Sequence, residues 1–324
     1  MSLRAVLGHD RIKGVLARAL RQGRFPNSLL FAGPEGVGKR TLALAAARAL
    51  LCERGREGDA CGTCGACSRS GRGLHPDLAF VEPATAVIKI EQVRDAVREI
   101  QLPPFEAPAR AFVIDEADVM TEQAQNALLK SLEEPRPTSH VILVTASPQA
   151  LLPTIRSRCP LLRFGPLPRA LVESALVERQ GLAPAEARLR AALASGSLGA
   201  ALAFESEAYR TLREELLALL EKAGTLSPLE RMGEAEKLEQ VEDPALALTT
   251  LRSLLRDVAA ARAGADPKRL LNADVGERVA ALARSPVGAR AGELAQAAGE
   301  TREALRGYAN KLLSFDTLLE TIAG

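Results

Sequence analysis

The sequence predicts an α/β protein with an open parallel sheet in its first half and helices alone in its second half. Three observations lead to this prediction. Short apolar runs alternate with helical patterns between residues 28 and 145. A glycine-rich segment joins the first apolar run to the first long helical pattern. From about residue 206 onward, apolar residues recur only at helical spacing.

Length and composition limit the class of protein. The 324 residues suit two or three domains, and 47% hydrophobic with 25% charged residues is typical of a globular chain. The net charge of +2 gives no overall attraction to nucleic acid, so any DNA contact must be local or shared with partners. The chain lacks Trp and has two Tyr, which argues against an aromatic platform for single-stranded nucleic acid.

Two features of the sequence bear on where the protein is expected to act. No run approaches the ~20 apolar residues that a membrane helix needs. The first ten residues, MSLRAVLGHD, lack the apolar core of a signal peptide. We therefore expect a cytoplasmic protein without a membrane partner.

The segment before the glycine-rich loop predicts a helix. Within residues 3–24, Ile12, Val15, Leu16 and Leu20 recur at helical spacing. Such a segment either walls the base of a nucleotide or packs on the sheet, and the two roles do not exclude each other.

A phosphate-binding loop is predicted between a strand and a helix. Residues 29–32 are an apolar run typical of a buried strand, and residues 41–52 have a helical composition. The loop between them fits G-x-x-x-x-G-K, in the strand–loop–helix context that this motif requires. A glycine-rich turn without a ligand is the alternative. The residues assigned to a bound nucleotide here are Gly33, Gly36, Gly38, Lys39, Arg40 and Thr41.

The loop departs from its pattern at one position. The residue after Lys39 is normally Ser or Thr, whose hydroxyl binds Mg²⁺. Here it is Arg40, which only donates hydrogen bonds and cannot ligate a cation. Lys39 is still in place to reach the β- and γ-phosphates. The sequence therefore predicts a pocket for ATP or ADP in which Mg²⁺ binding is weak or absent, unless Thr41 replaces the lost hydroxyl.

Four cysteines follow with the spacing C-x8-C-x2-C-x2-C. The residues between them are polar and glycine-rich, so this excursion has little apolar material to hold it together. Four thiolates at this spacing predict tetrahedral Zn²⁺, with two disulfides as the alternative. Thiols stay reduced in the cytosol, and four Cys ligands leave no open position for a catalytic water. We therefore predict a structural zinc module over residues 52–67, with Cys52, Cys61, Cys64 and Cys67 as ligands.

Further along, strands and helices continue to alternate. The residues LAFVEP after Asp77 predict a strand, and residues 89–100 an amphipathic helix. Residues 109–114 predict a buried strand, and residues 121–134 a helix with Thr121 as its cap. The order therefore favours a parallel sheet.

Carboxylates follow one of these buried strands. Asp115 and Glu116 come directly after residues 109–114. The first carboxylate would bind Mg²⁺ and the second would polarise the attacking water. Residues 140–145 form a further buried strand, whose last residue, Thr145, could orient water or the γ-phosphate. Strand ends meet at one edge of a parallel sheet, so we expect all of these groups near the phosphate loop.

Two arginines lie in the segment LLPTIRSRCP. Taken alone, Arg156 and Arg158 are solvated charges on a polar loop as readily as functional cations.

The order of motifs resembles one family. GPEGVGK, the four-cysteine insertion, IDEAD, ALLKSLEEP and the SRC triplet at 157–159 together resemble the AAA+ clamp-loader subunits of bacterial DNA polymerase III. The matching motifs lie between residue 6 and about residue 165. The resemblance implies a heteropentamer that uses ATP to load a sliding clamp onto primer–template DNA. It also implies the partners, which are gamma/tau motor subunits, a delta subunit, the clamp and the DNA.

Departures from the motor pattern favour the delta-prime branch of this family. Arg40 replaces the hydroxyl residue, and Gly196-Ser197-Leu198-Gly199 stands where the motor has Gly-Ser-x-Arg. Motor subunits also usually continue beyond the point where this sequence ends. The resemblance therefore implies a stator whose own ATPase is weak or absent. An active AAA+ ATPase motor is the first alternative, and a nucleotide-bound interaction module outside replication is the second.

The resemblance gives Arg158 a role. The arginine of Ser-Arg-Cys in these assemblies is an arginine finger, which enters the ATP site of a neighbouring motor subunit. Arg158 matches it, as a catalytic group supplied in trans. A planar, permanently charged guanidinium suits a phosphate whose charge is spreading during transfer.

The resemblance also implies three domains. Residues 1–165 would form the AAA+ nucleotide-binding domain, and residues 166–205 a small helical lid. Residues 206–324 would form a helical collar for oligomerisation, or simply an ordinary helical bundle. Its apolar residues, such as Leu312, Phe315, Leu319 and Ile322, step by three or four.

Overall fold

The structure is a computed structural model that describes residues 2–55, 57–306 and 309–324. Its contacts divide the chain into two compact units. The first contains Met1–Ala175 and Ser195–Leu202, and the second contains Leu176–Ala194 and Ala203–Gly324. The three-domain division stays a prediction. Among the described residues, no helix combines the length and apolarity needed to cross a membrane.

The first unit is built on a parallel sheet. Its strands are β1 Ser28–Ala32, β2 Leu78–Val81, β3 Arg110–Ile114, β4 Ser139–Thr145 and β5 Leu161–Arg163. They lie in the order β2-β3-β4-β1-β5, and every pair is parallel. β1 ends level with β4, because Ala32 is opposite Thr145. The parallel α/β sheet predicted from the sequence is confirmed.

Helices surround this sheet. They are α1 Asp10–Arg21, α2 Lys39–Leu51, α3 Gly65–Gly71, α4 Ile90–Ile100, α5 Glu122–Glu133 and α6 Pro153–Arg156, with 3-10 turns at Ala117–Val119 and Pro148–Ala150. The predicted cap of α5 is confirmed, since Thr121 Oγ1 accepts a hydrogen bond from the N–H of Ala124 at 3.3 Å. α2 begins at Lys39, two residues earlier than predicted, because the phosphate loop turns directly into the helix.

Apolar side chains cover both faces of the sheet. On one face, Leu16 of α1 and Leu42 of α2 belong to the same buried cluster as Phe31 of β1. On the other face, Val93 of α4 and Leu128 of α5 form a cluster with residues of β3 and β4. Burial on both faces explains why the central strands are continuous apolar runs rather than alternating ones.

The remaining helices complete the chain. They are α7 Arg169–Gln180, α8 Pro184–Leu193, α9 Leu198–Ala203, α10 Ser206–Lys222, α11 Pro228–Glu239, α12 Pro244–Arg262, α13 Gly276–Ala283, α14 Pro286–Arg306 and α15 Lys311–Ala323. Further 3-10 turns lie at Ala223–Thr225, Pro267–Arg269 and Ala273–Val275. In the second unit, Leu251 and Leu255 of α12 share a buried core with Phe315 and Leu319 of α15. The second half is helical, as predicted.

Candidate functional site

The carboxyl edge of the sheet gathers the predicted nucleotide residues. The phosphate loop follows β1, Asp115 and Glu116 follow β3, and Thr145 ends β4. Because β3 and β1 both pair with β4 in parallel, these ends lie side by side. Thr41, the predicted substitute hydroxyl, lies half-buried in the first turn of α2.

Lys39 is turned into the phosphate loop. Its Nζ donates hydrogen bonds to the carbonyl oxygens of Gly33 and Pro34, each at 2.7 Å. Burial lowers the pKa of Lys39, while the carboxylates of Asp115 and Glu35 oppose this shift. The ammonium therefore lies where a phosphate would approach, held by oxygens that a phosphate would replace.

The phosphate loop also contacts the residues at the start of α9. Gly36 has φ +68°, and a β-carbon there would overlap Ser197 Oγ. Its carbonyl oxygen accepts a hydrogen bond from the N–H of Gly199 at 2.9 Å. Gly199 contacts the loop through its own backbone at the place where the motor pattern has an arginine. Glycine is required at both positions because the two backbones touch.

Arg40 places a cation among the carboxylates. Its Nη1 lies 3.0 Å from Glu82 Oε2 and 3.5 Å from Asp115 Oδ2, and its guanidinium lies 4.5 Å from the centre of the Phe80 ring. Burial raises the pKa of Asp115, while the N–H of Glu116 and the charge of Arg40 oppose this shift. The residues do not fit Mg²⁺, because the hydroxyl ligand is missing and a guanidinium lies beside the carboxylate that would bind the ion.

Two residues beside the acidic pair were not predicted as functional. Asp118 accepts hydrogen bonds from Thr145 Oγ1 at 2.8 Å and from the N–H of Ala146 at 3.3 Å, so it fixes the hydroxyl of Thr145. Glu82 pairs with Arg40. The third acidic residue of Asp-Glu-Ala-Asp was a usable signal for Asp118, whereas nothing in the sequence marks Glu82.

Glu116 is exposed and has the left-handed backbone conformation, with φ +48°. This conformation is uncommon outside glycine and is concentrated at functional sites. The part of its carboxyl group that is shielded from water, and then the charges of Asp115 and Asp118, raise the pKa of Glu116. The role predicted for Glu116, polarising the attacking water, stays a prediction.

Arg158 lies at the other edge of the sheet. Ser28 Oγ, at the first residue of β1, donates a hydrogen bond to the carbonyl oxygen of Arg158 at 2.8 Å. The phosphate loop begins after the last residue of β1, about 15 Å away at the usual rise of a strand. The Arg158 guanidinium pairs with Glu133 at 2.7 Å and donates to the carbonyl oxygen of Thr154 at 3.0 Å. The structure therefore does not bring Arg158 to the chain's own nucleotide site.

The four predicted metal ligands converge. Their sulfur atoms all lie within 4.8 Å of one another. Sγ of Cys52 lies 3.9 Å from that of Cys64, and Sγ of Cys61 lies 3.9 Å from that of Cys67. Tetrahedral zinc with Zn–S bonds of ~2.3 Å requires sulfurs ~3.8 Å apart, whereas a disulfide requires ~2.05 Å. All five cysteines are free, and the four fit a tetrahedral ion.

Backbone amides support these sulfurs. The N–H of Cys61 donates to Cys52 Sγ at 3.3 Å, and the N–H of Cys67 donates to Cys64 Sγ at 3.4 Å. Such bonds stabilise thiolates around a metal. Helix α3, which was not predicted, begins next to Cys64 and carries Cys67.

Taken together, the phosphate loop after β1, the acidic pair after β3 and the threonine at the end of β4 define a P-loop protein of the AAA+ class.

Comparisons with known proteins give the family. Residues 8–168 match the family described as DNA polymerase III, delta subunit. The chain is 34% identical to subunit delta' of Bacillus subtilis over 65% of its own length and 64% of that protein. It is 41% identical to subunit delta' of Pseudomonas aeruginosa over 44% of each chain. It is 36% identical to subunit tau of Escherichia coli over 48% of its own length and 24% of that protein.

The chain belongs to the DNA polymerase III clamp-loader family that contains the delta' and tau/gamma subunits. The matched segments span between 24% and 64% of the length of these three relatives.

Proposed function

We propose that this chain is a largely non-hydrolysing stator of the clamp loader. It binds the gamma/tau motor subunits and the delta subunit, and it supplies Arg158 in trans to a motor subunit's ATP site. The complex uses ATP to load a sliding clamp onto primer–template DNA. The names of the relatives and the two features described next support this proposal.

The single observation that carries the proposal is the position of Arg40. Its guanidinium lies 3.5 Å from Asp115, the carboxylate that would otherwise serve Mg²⁺. Phosphoryl transfer relies on the metal to neutralise charge between the β- and γ-phosphates. The Arg40 guanidinium, fixed beside Asp115, can neutralise part of the phosphate charge, but it cannot coordinate the β- and γ-phosphates together as a metal ion does. Nucleotide binding without efficient hydrolysis is the expected result.

The location of Arg158 supports its action on a neighbour. It lies beside the first residue of β1, whereas the phosphate loop follows the last residue of that strand. The side chain is 35% exposed, so its guanidinium is accessible to another subunit. Supplied in trans, such a group contributes ~10³–10⁵ in rate in systems where it has been isolated.

We further propose that the four cysteines bind one structural Zn²⁺. The convergence of the four sulfurs within 4.8 Å of one another and the N–H groups that face them support this assignment. All four positions around the ion are protein ligands, so its role is to stabilise the loop between Cys52 and Cys67.

The alternative is an active motor subunit, and the retained Lys39, Asp115 and Glu116 favour it. ATPase assays separate the two functions. The stator predicts little ATP turnover by the purified chain with Mg²⁺, and turnover in the complex with the motor and delta subunits that depends on Arg158. Brisk turnover by the chain alone, lost in Lys39→Ala, would identify a motor. Failure to assemble with those subunits would indicate an interaction module outside replication.

A further inference from the structure

A buried carboxylate, Asp59, connects the loop between Cys52 and Cys61, here called the cysteine loop, to the start of the chain. Asp59 Oδ1 accepts hydrogen bonds from the N–H of Leu3 and of Ala60, each at 2.8 Å. Its Oδ2 accepts a third from the N–H of Arg4 at 3.2 Å. The side chain is buried, so these three hydrogen bonds are shielded from water. Residues 3 and 4 therefore take their position from a loop that lies far along the sequence.

The same loop contacts the first helix. Gly58 has φ +77°, and a β-carbon there would overlap the carbonyl oxygen of Ala17 in α1. The backbone of the loop thus lies directly against the backbone of α1, an approach that only glycine permits. The cysteine loop is therefore fixed at two places, at residues 3 and 4 through Asp59 and at helix α1 through Gly58.

The N-terminal segment in turn lies against the phosphate loop. Leu3 and Val6 are buried in one apolar cluster with Val37. His9 Nε2 donates a hydrogen bond to the carbonyl oxygen of Val37 at 2.8 Å, and Lys13 Nζ donates to that of Val6 at 2.9 Å. A continuous set of contacts therefore runs from the cysteine loop through residues 3–9 to the phosphate loop.

The loop between Cys52 and Cys61 has almost no apolar side chains of its own to hold it. Between Cys52 and Cys61 the sequence is ERGREGDA, with Ala60 as its apolar side chain. A segment of this composition cannot bury enough apolar surface to fix its own conformation, so metal binding must supply that free energy. We infer that a metal ion held by the four cysteines orders the N-terminal segment through Asp59, a positioning residue, and so shapes one wall of the phosphate loop. The inference depends on the metal site proposed above.

Hydrogen–deuterium exchange of the full chain tests this inference. Zinc-loaded protein is compared with protein treated with a chelator. The expected result is that amide exchange at Leu3 and Arg4 accelerates by about tenfold or more after chelation, the effect of losing one such hydrogen bond. Exchange at Val113, in the central strand β3, serves as the internal reference and stays unchanged.

Two variants make the test specific. Asp59→Asn leaves one acceptor oxygen instead of two, so it should accelerate exchange at Leu3 and Arg4 while the chain still binds zinc. Glu57→Gln is the matched control, because Glu57 lies in the same loop and pairs with Arg4 through exposed side chains. It should leave the exchange of these amides unchanged. If Asp59→Asn does not fold, chelation of the unsubstituted chain decides the question alone.

Slow exchange at residues 3 and 4 after complete removal of the metal would overturn the inference. So would a chain that takes up no zinc, which would remove the metal site as well. Brisk ATP hydrolysis by the isolated chain would instead contradict the stator function and would leave the exchange result standing. The two proposals therefore fail in different experiments.

Discussion

The Arg158 guanidinium forms an ion pair with the Glu133 carboxylate at 2.7 Å, between side chains that are 35% and 47% exposed. Exposed pairs contribute at most about 1 kcal/mol, because solvent screens them and two side chains must be ordered. Glu133 therefore orients the arginine without holding it strongly. If Arg158 enters a neighbouring subunit's nucleotide site as proposed, a polyphosphate with several negative charges can take the place of this single carboxylate.

Arg158→Ala should lower the ATPase of the reconstituted complex without dissociating it. Turnover at the motor site that receives this arginine should fall by ~10³ or more, so the complex loses at least that site's share of activity. Steady-state ATPase and size-exclusion chromatography measure the two effects. Arg156→Ala is the matched control, since Arg156 is an exposed arginine in the same segment. Normal turnover with Arg158→Ala would remove the arginine-finger role.

Glu133→Gln should behave differently from Arg158→Ala. The exposed carboxylate of Glu133 stabilises the observed orientation of Arg158 by about 1 kcal/mol or less, and the substitution removes only this amount. The ATPase of the complex should therefore change by less than about fivefold. A loss as large as that of Arg158→Ala would mean that Glu133 does more than orient the guanidinium.

Arg40→Thr should restore a response to Mg²⁺. The substitution removes the guanidinium beside Asp115 and returns the hydroxyl that the loop pattern requires. In the unsubstituted chain, nucleotide affinity should be nearly independent of Mg²⁺. In the variant, Mg²⁺ should strengthen ADP binding by about tenfold or more, the effect of one added metal contact of about 1.4 kcal/mol.

Titration of a fluorescent ADP analogue with and without Mg²⁺ measures both affinities. Arg98→Thr is the control, because Arg98 is an exposed arginine on α4 that pairs with Asp95. Tight binding by the unsubstituted chain that requires Mg²⁺ would contradict the role given to Arg40.

Elemental analysis should find about one Zn²⁺ per chain, as one four-thiolate site requires. Cys64→Ser should lose most of the metal, since a serine hydroxyl is a poor replacement for a thiolate. Cys159→Ala should keep it. Burial raises the pKa of Cys159 to about 11, so this fifth cysteine stays a neutral thiol. Metal-free protein whose four module thiols are paired would support disulfides instead.

Local pattern was enough to predict the strands that hold the site. Residues 29–32 and 141–144 are apolar without interruption because both faces of the sheet are covered, and the structure places β1 and β4 there. Motif spacing likewise predicted the cysteine cluster. The edge strand β5, Leu161–Arg163, was missed because it is three residues long and two of them are exposed.

Contacts between distant residues could not be predicted. The bond from Thr145 to Asp118 depends on how the neighbouring strands β3 and β4 align, and the pairing of Arg40 with Glu82 joins helix α2 to the end of β2. The contact of Gly199 with Gly36 joins segments that are far apart in sequence. Each of these follows from tertiary structure, which single-residue patterns do not encode.

Asp77→Asn should destabilise the first unit in a pH-dependent manner. The Asp77 carboxylate is buried and accepts hydrogen bonds from the N–H groups of residues 105–107 at 2.6–3.0 Å and from Arg110 Nε at 3.2 Å. Burial alone would raise the pKa of Asp77, but these donors outweigh it and lower the pKa below its ordinary value. The stabilisation is therefore fully present above the unfolded pKa of ~3.9 and is lost as the pH falls through the folded value.

Urea unfolding at several pH values measures this effect. At pH 7 the substitution should cost about 3 kcal/mol, because it removes the buried carboxylate partner of Arg110 and leaves only the exposed Glu99 carboxylate at 3.8 Å. The difference between the two proteins should shrink steadily below about pH 4, because the unfolded chain takes up a proton at Asp77 there before the folded chain does. Asp95→Asn, at an exposed carboxylate that pairs with Arg98, should have little effect at any pH. An equal cost for Asp77→Asn at pH 3 and pH 7 would show that the shape of the side chain, not its charge, holds residues 105–107 in place.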